Sequence, residues 1–310
     1  MWLNRWFFLI NNDALTCVSW LYQRACSYIF ACMNQQRVTT WSELMGSLYE
    51  DAWMPTLKRF RPSLAFRGLP DVSFTLNTSL MRLGDDCARI EGHLLRNFKK
   101  YAMRNVVERD SFWYWLSVAQ HHGLPTRLMD WTFSPYVALH FVTAAHEWYD
   151  RDGVIWCVDY KQVHQHLSND LRALLEEEGA DVFTVEMLSN IHSLREFDAQ
   201  SETPFALLFE PPSIDDRIIN QYALFSVISS PTVSMSSWLE GHPEVFRQII
   251  VASELKWEIR DKLDQANINE RVLFPGLDGL SRWLRRQYVP PGSDALPSNQ
   301  LNELTNGSVR

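Results

Sequence analysis

The residues best suited to chemistry lie together in one connector, residues 120–132. It combines His121, Arg127 and Asp130 with Trp131 and leucines that can anchor it to a hydrophobic core. Catalytic and binding residues are often carried on such loops by a rigid scaffold. Histidine can act as a general base near neutral pH, and the arginine and aspartate can orient it or bind charge. The connector therefore predicts a polar site, with a local Arg127–Asp130 ion pair as the structural alternative.

His121 lies where a helix is predicted to end. Asp110 fits the N-cap, and Gly123 and Pro125 are stop signals. A histidine in the last turn has a structural explanation, because protonated imidazole interacts favourably with the carbonyl end of the helix dipole. The functional alternative makes His121 a general base.

Several common site motifs are absent from the sequence. No cysteines or histidines show zinc-ligand spacing, no glycine-rich phosphate loop occurs, and no Gly-x-Ser-x-Gly segment supports a serine nucleophile. The 5 cysteines are odd in number and form no Cys-x-x-Cys pair, which favours a reduced compartment. We therefore expect a cytoplasmic protein without a resident metal.

Net charge and local charge favour different partners. With 37 acidic against 29 basic side chains, the net charge of -8 excludes a surface that follows phosphate backbones throughout. Basic side chains nevertheless recur in two places. They are Lys58, Arg59 and Arg61, and then Arg96, Lys99, Lys100 and Arg104. The alternative to an enzyme is therefore a non-catalytic module that binds nucleic acid or protein through a basic face.

Helices and strands are both predicted around the connector. Ser134 and Pro135 fit the start of the helix that follows it, and Thr40 with Glu43 forms a capping-box pattern. Other helices are predicted near 85–104, 171–178 and 254–266, and strands at 64–68, 153–159, 205–209, 223–228 and 248–252. Because strands and helices do not alternate regularly, we predict an α+β fold. It is a single mixed domain with a central, mainly antiparallel sheet packed by helices.

The two ends of the chain differ from the middle. Residues 1–32 are apolar, but Arg5 and a polar break at 11–13 keep the run below the ~18 residues of a membrane-spanning helix. We interpret this segment as an apolar leader or dispensable extension. Residues 289–310 are polar and rich in turn formers, which predicts a flexible tail. Residues 33–288 are then the working domain, with no membrane span.

Several motifs together resemble the FRG domain, a bacterial family named for its Phe-Arg-Gly tripeptide. They are Phe66-Arg67-Gly68, Glu91 with Leu94-Leu95 and Phe98-Lys99, the segment Ala119 to Leu128, Asp130-Trp131-Thr132 with Pro135 to Phe141, and Arg217-Ile218 with Gln221 and Phe225. The resemblance covers about residues 40–230, and a further strand and helices at 245–288 complete the predicted domain. The family name itself implies no reaction.

The order of these elements is also similar to that of ADP-ribosyltransferases. A strand ending in Arg-Gly precedes a Thr or Ser segment with an Ala-x-x-Phe helix, and a polar strand follows late in the chain. The similarity implies an enzyme with NAD as substrate, acting as an ADP-ribosyltransferase with a protein or nucleic-acid acceptor or as an NAD glycohydrolase. It implies a toxin or phage-defence effector as the setting. Both reactions develop positive charge at the ribose, which a carboxylate or dipole can stabilise.

The similarity also assigns roles to single residues. It implies that Arg67 and Gly68 hold the phosphates of NAD, since the planar guanidinium binds two oxygens at once. It implies that Thr132 and Ser134 line the nicotinamide pocket and that Tyr136, Leu139 and Phe141 form its walls. It adds ribose binding to the functional roles of His121.

The late-strand glutamate of that superfamily is missing. Gln221 stands in its place, so either Gln221 binds the ribose without a charge, or Glu91 or Glu210 supplies the carboxylate, or catalysis is absent. For Arg67, the structural alternative to phosphate binding is an ion pair with Asp71.

Overall fold

The computed structural model describes residues 34–102 and 111–288. The predicted extension at 1–32 and the predicted tail at 289–310 lie outside these residues. Among the helices that are described, none has the length and apolar character needed to cross a membrane.

Strands form where β-branched and aromatic residues recur. Those described are β1 (Gln35–Val38), β2 (Trp53–Met54), β3 (Arg59–Phe60), β4 (Leu64–Leu69), β5 (Met129–Thr132), β6 (Gly153–Asp159), β7 (Phe183–Thr184), β8 (Ala206–Glu210), β9 (Ala223–Ile228) and β10 (Phe246–Val251). Each strand predicted from the sequence corresponds to one of these within two residues at either end. The short strand β5, which carries part of the predicted site, was not among the predicted runs.

Most of the described helices begin at a side chain that caps the first turn. Those described are α1 (Trp41–Leu48), α2 (Cys87–Ala102), α3 (Phe112–His121), α4 (Pro135–Val142), α5 (Tyr160–His164), α6 (Asn169–Glu178), α7 (Leu194–Asp198), α8 (Asp216–Asn220), α9 (Met235–Glu240), α10 (Lys256–Gln265), α11 (Glu270–Leu273) and α12 (Leu277–Gln287). Thr40 caps α1 and Ser134 caps α4, as the sequence predicts. The cap of α3 is Ser111 rather than Asp110, because the Ser111 hydroxyl accepts from the Tyr114 N–H.

One sheet organises the described residues. Eight strands lie in the order β1-β10-β6-β4-β5-β9-β8-β7, and β2 pairs separately with β3 as a hairpin. The inner neighbours are antiparallel, while the edge pairs β1–β10 and β7–β8 are parallel. Helices pack against this sheet, so the predicted α+β fold with a mainly antiparallel sheet is confirmed.

Successive side chains of β4 enter different hydrophobic clusters, as expected for alternating strand positions. Phe66 packs with Leu139 of α4 and Ile259 of α10, whereas Ala65 packs with Trp131 of β5 in a cluster on the other face. A third cluster joins α3 to the far end of the sheet. The position after Phe66 therefore projects away from α4, which is where Arg67 lies.

The sheet opens between β4 and β5. β4 pairs with β6 along its length, from Leu64 opposite Asp159 to Leu69 opposite Val154. Its pairing with β5 is confined to Phe66 opposite Thr132. Beyond that point the two strands separate, which leaves room for a cleft inside the sheet.

Close packing of α4 against β4 explains the glycine at position 68. A Cβ built on Gly68 would lie 1.9 Å from the backbone oxygen of Ala138. Any larger side chain would push α4 away from the strand. Gly68 therefore brings the helix that follows the site against the strand that carries Arg67.

Candidate functional site

Two adjoining cavities lie where β4 and β5 separate. The inner cavity, of about 190 Å³, has aromatic walls that include Phe66, Trp131, Phe141 and Phe225. The outer cavity, of about 600 Å³, has a polar lining that includes Asn77, Thr78, Arg82 and His122. The side chains lining both are Arg67, Gln120, His121, Asp130 and Arg217. We call the two cavities together the cleft.

Arg67 lies at the junction of the two cavities. Its Nη1 donates to the backbone oxygen of Asp130, while its Nε is shielded from solvent and has no hydrogen-bond partner among the described residues. Burial lowers the pKa of Arg67, and the positive charge of Arg82 lowers it further, against the attraction of Asp130. The predicted pairing with Asp71 is wrong, because Asp71 accepts from Arg151 at 2.8 Å. Arg67 thus retains a donor that protein atoms do not satisfy.

His121 forms a short contact with a residue that sequence analysis missed. Its Nε2 lies 2.6 Å from Oδ2 of Asp215, and the imidazole is 8% exposed. The other carboxylate oxygen of Asp215 accepts from the backbone N–H groups of Arg217 and Ile218 and so caps α8. Burial opposes ionisation, but the Ile218 N–H and the charge of His121 hold the pKa of Asp215 below its usual value. The sequence did offer one signal at Asp215, since an aspartate before Asp216 is typical of a helix N-cap. That signal predicts where a helix begins, but it does not predict a contact with His121.

Two further arginines give the cleft a positive character. Arg82 donates to the backbone oxygen of Asn77 at 2.9 Å, and the Arg217 guanidinium lies 5.2 Å from the ring centre of Phe274. Within the described residues, neither arginine forms an ion pair with a carboxylate. With Arg67, these side chains leave positive charge available at the outer cavity.

Asp130 is held by a chain of polar side chains. Gln120 donates from Nε2 to Oδ2 of Asp130 at 3.0 Å, and Thr126 donates to Oε1 of Gln120 at 2.6 Å. Asp130 belongs to β5 and its partner Gln120 to α3. The network therefore fixes the end of α3, and with it His121, against the strand.

Arg127 and Glu91 lie outside the cleft. Arg127 donates from Nε and Nη2 to the two oxygens of Glu91 at 2.8 and 2.5 Å, and from Nη1 to Asp198 at 2.6 Å. Both members of the Arg127–Glu91 pair are buried. The predicted ion pair between Arg127 and Asp130 is therefore wrong. Arg127 instead anchors the connector to α2 and α7, and Glu91 is occupied by that anchor.

The residues predicted around the nicotinamide separate in the structure. Thr132 lines the inner cavity, and its hydroxyl donates to the backbone oxygen of Gln221 at 2.7 Å. Ser134 uses its hydroxyl to cap α4, and the Tyr136 hydroxyl contacts the sulfur of Met45 at 3.7 Å. Phe141 lines the inner cavity, whereas Leu139 packs in the hydrophobic core. The structure therefore brings Thr132 and Phe141 to the cleft, with Gly68 in the inner wall.

Gln221 lines the inner cavity but is tied to the C-terminal helices. Its Nε2 donates to the backbone oxygen of Leu273 at 2.9 Å, which occupies one side of the amide. Glu210, the other proposed source of a carboxylate, does not line either cavity, and burial raises its pKa. The carboxylate that lines the cleft is instead Asp130, while Asp215 contacts His121 without lining either cavity. Among the described residues, no three metal-ligating side chains cluster.

A known protein family matches the part of the chain that contains β4, α3 and β5. Residues 62–151 match the family model of the FRG domain. The chain carries an FRG domain. The match is shorter than the 40–230 predicted from the motifs, but it includes β4 and the connector, so the family prediction is confirmed there. No curated protein and no solved structure matches the chain.

The FRG domain supplies one side of the cleft. Arg67, His121 and Asp130 fall inside the match, whereas α8 with Asp215 and Arg217 lies beyond it. The cleft of this protein is therefore completed by residues outside the FRG match.

Proposed function

We propose that the cleft binds NAD and that the protein cleaves the bond between nicotinamide and ribose, by transfer of ADP-ribose or by hydrolysis. The observation that carries this proposal is Arg67, whose shielded Nε has no partner among the described residues. A buried polar group without a partner is costly unless a ligand supplies one. A phosphate oxygen is a suitable acceptor for a guanidinium.

The two halves of the cleft suit the two kinds of group in a nucleotide. Aromatic walls in the inner cavity favour a flat ring, through stacking and burial. Arg82 and Arg217 at the outer cavity favour the phosphates, and Arg67 lies between the two environments. A ligand with a ring joined through a ribose to phosphates spans this gradient from apolar to positive.

The missing glutamate argues for a different source of negative charge. Gln221 is neutral and its amide is partly engaged, so it stabilises developing positive charge poorly. Asp130 brings a carboxylate to the cleft itself, and Asp215 brings a second one to His121 at its wall. The proposal therefore does not require that Gln221 take the role of a glutamate.

The test is to incubate the purified full chain with NAD and to quantify released nicotinamide by chromatography. Arg67→Ala is expected to lower the rate about tenfold to a hundredfold, the loss of one hydrogen bond to a charged group. Arg89→Ala, at an exposed pair with Asp86, serves as the matched control and should retain the rate. Absence of both NAD binding and nicotinamide release by the unmodified protein would overturn the proposal.

A toxin or phage-defence role belongs to the same proposal. Such a role requires that the activity deplete NAD or modify a target inside a cell. Induced expression should then arrest growth, and Arg67→Ala should relieve the arrest. Equal growth arrest by both proteins would contradict this role.

The β2–β3 hairpin favours a second candidate function, the binding of single-stranded nucleic acid. Trp53 and Phe60 are 49% and 60% exposed, with ring centres 5.2 Å apart. Lys58, Arg59 and Arg61 are exposed beside them and form no ion pair with described residues. Exposed aromatic rings next to unpaired basic groups can stack bases and bind phosphates.

A labelled oligothymidine tests this candidate through fluorescence anisotropy at rising salt. Binding should weaken with salt and be lost in Trp53→Ala/Phe60→Ala, while Arg67→Ala should leave it unchanged. Binding that survives the loss of both rings would count against the hairpin.

A further inference from the structure

The His121–Asp215 pair has the geometry of a proton-transfer dyad. Asp215 Oδ2 lies 2.6 Å from Nε2 of His121, and the ring lines both cavities. A carboxylate can only accept, so the hydrogen of a neutral imidazole lies on Nε2. Nδ1 is then the acceptor, and it has no hydrogen-bond partner among the described residues. The arrangement leaves a basic nitrogen available at the cleft.

Asp215 does more than cap a helix. Its Oδ1 accepts from the N–H groups that begin α8, whereas Oδ2 points to His121. One rigidly held carboxylate therefore fixes both the orientation and the tautomer of the imidazole. Capping alone needs only an oxygen acceptor, which serine or asparagine also supplies.

We propose that His121 is the general base of the cleft and that Asp215 is its positioning residue, a proposal that rests on the cleavage of NAD proposed above. A water molecule or an acceptor hydroxyl attacks C1′ of the nicotinamide ribose. The C1′–N1 bond breaks, and its electron pair neutralises the pyridinium nitrogen of the departing nicotinamide. The proton of the nucleophile passes to Nδ1 of His121 and from there to solvent, so charge and atoms balance.

The dyad also stabilises the reaction electrostatically. Positive charge develops at the ribose while the imidazole takes up a proton, and the Asp215 carboxylate offsets the charge of the imidazolium. This gives the cleft an acid–base group, which Gln221 does not provide. The dyad accounts for catalysis without the missing glutamate.

Asp215→Asn is the sharpest variant, because asparagine preserves both the cap and the shape of the side chain. Nicotinamide release should fall about a hundredfold, the usual contribution of a general base and its orienting partner. The dissociation constant for NAD, measured by calorimetry, should change less than twofold. Asp216→Asn, at the next residue on the exposed start of α8, is the matched control and should keep the wild-type rate.

Chemical rescue separates catalysis from structure. His121→Ala should lose nicotinamide release about a hundredfold, and added imidazole should restore part of it. Rescue should increase with pH as free imidazole loses its proton.

Several charged and titratable groups face His121. They are His122 of its own segment, Arg67 of β4, Asp130 of β5, and Asp215 and Arg217. Arg67→Ala retains His121, so imidazole should not accelerate that variant.

The outcomes distinguish the two proposals. If the unmodified protein releases nicotinamide and Asp215→Asn does so at the same rate, the dyad is wrong and NAD cleavage stands. A His121→Ala variant that binds NAD normally, has lost release and shows no rescue also contradicts the general-base role. If the unmodified protein releases no nicotinamide, both proposals are overturned.

Discussion

At the scale of single residues, hydrogen-bond partners separate structural anchors from residues that are available to a ligand. Arg127 and Glu91 satisfy each other in the core, and Arg127 also binds Asp198. Arg67 keeps an unsatisfied donor at the cleft. Arg67, Glu91 and Arg127 are all charged residues within recognisable motifs. Only their partners show which of them remains available to a ligand.

Removing one member of the Arg127–Glu91 pair should destabilise the fold strongly. Arg127→Met leaves two carboxylates without their partner, and a broken buried pair costs about 3 to 5 kcal/mol of unfolding free energy. Urea unfolding measures this, with Arg89→Met as the exposed control that should lose at most about 1 kcal/mol. The double variant Glu91→Leu/Arg127→Met should recover part of the loss while keeping nicotinamide release. Loss of release in a folded double variant would show that the Glu91–Arg127 pair contributes to catalysis.

At the scale of elements, the cleft depends on how β4, α4 and α8 are held. β4 meets β5 at one register position, α4 packs directly on Gly68, and α8 is fixed from two sides. Asp215 caps α8, while Asn220 and Gln221 donate to backbone oxygens of α11 at 2.9 Å each. The residues that line the cleft therefore depend on elements that are distant in sequence.

Substitution of Gly68 should disturb this packing. The added Cβ of Gly68→Ala would collide with the Ala138 backbone oxygen, and overpacking of this kind costs about 1 to 3 kcal/mol. Gly46→Ala in α1 is the control, because its Cβ meets nothing within 4 Å and alanine favours a helix by roughly 0.5 to 1 kcal/mol. Urea unfolding of both variants should give changes of opposite sign. A neutral Gly68→Ala would mean that α4 can move without cost.

At the scale of the whole molecule, a buried charged network joins the C-terminal helices to the FRG domain. Arg260 of α10 donates to His140 of α4 at 2.9 Å, and Arg286 of α12 binds Glu270 and Asp264. This network holds α11 in place, and α11 in turn supports α8. The C-terminal segment thus acts on the cleft through packing.

Buried titratable residues, in this network and at His164, predict that the protein loses stability in acid. Burial and the charge of Arg260 lower the pKa of His140 from 6.5 to about 3, and burial lowers that of His164 to about 4. Burial opposes ionisation of Glu270, but Arg286 lowers its pKa from 4.5 to about 2. In acid the unfolded chain therefore binds more protons than the folded chain. The contribution of the histidines to the free energy of unfolding declines below about pH 6.5, and that of Glu270 declines below about pH 4.5.

Urea unfolding at pH 7.5 and at pH 5.5 measures the histidine part of this loss, because both pH values lie at least about one unit above the ordinary pKa of glutamate, about 4.3. The free energy of unfolding should be lower at pH 5.5. His140→Gln should reduce the difference between the two pH values, whereas the exposed His192→Gln should leave it unchanged. Equal stability of the unmodified protein at both pH values would contradict the burial of neutral histidines.

Local sequence predicted every described strand of five or more residues, and it predicted the resemblance to the FRG domain. Caps at Thr40 and Ser134, β-branched runs and the Phe66-Arg67-Gly68 and connector motifs depend on neighbours a few residues apart, and they predicted the α+β fold and the FRG domain. Tertiary structure alone decided which polar groups share a cleft. His121 and Asp215 are 94 residues apart in sequence. Arg127 pairs with Glu91, although Asp130 is much closer to it in sequence. Such pairings follow from burial and sheet register, which bring together side chains that no local spacing connects.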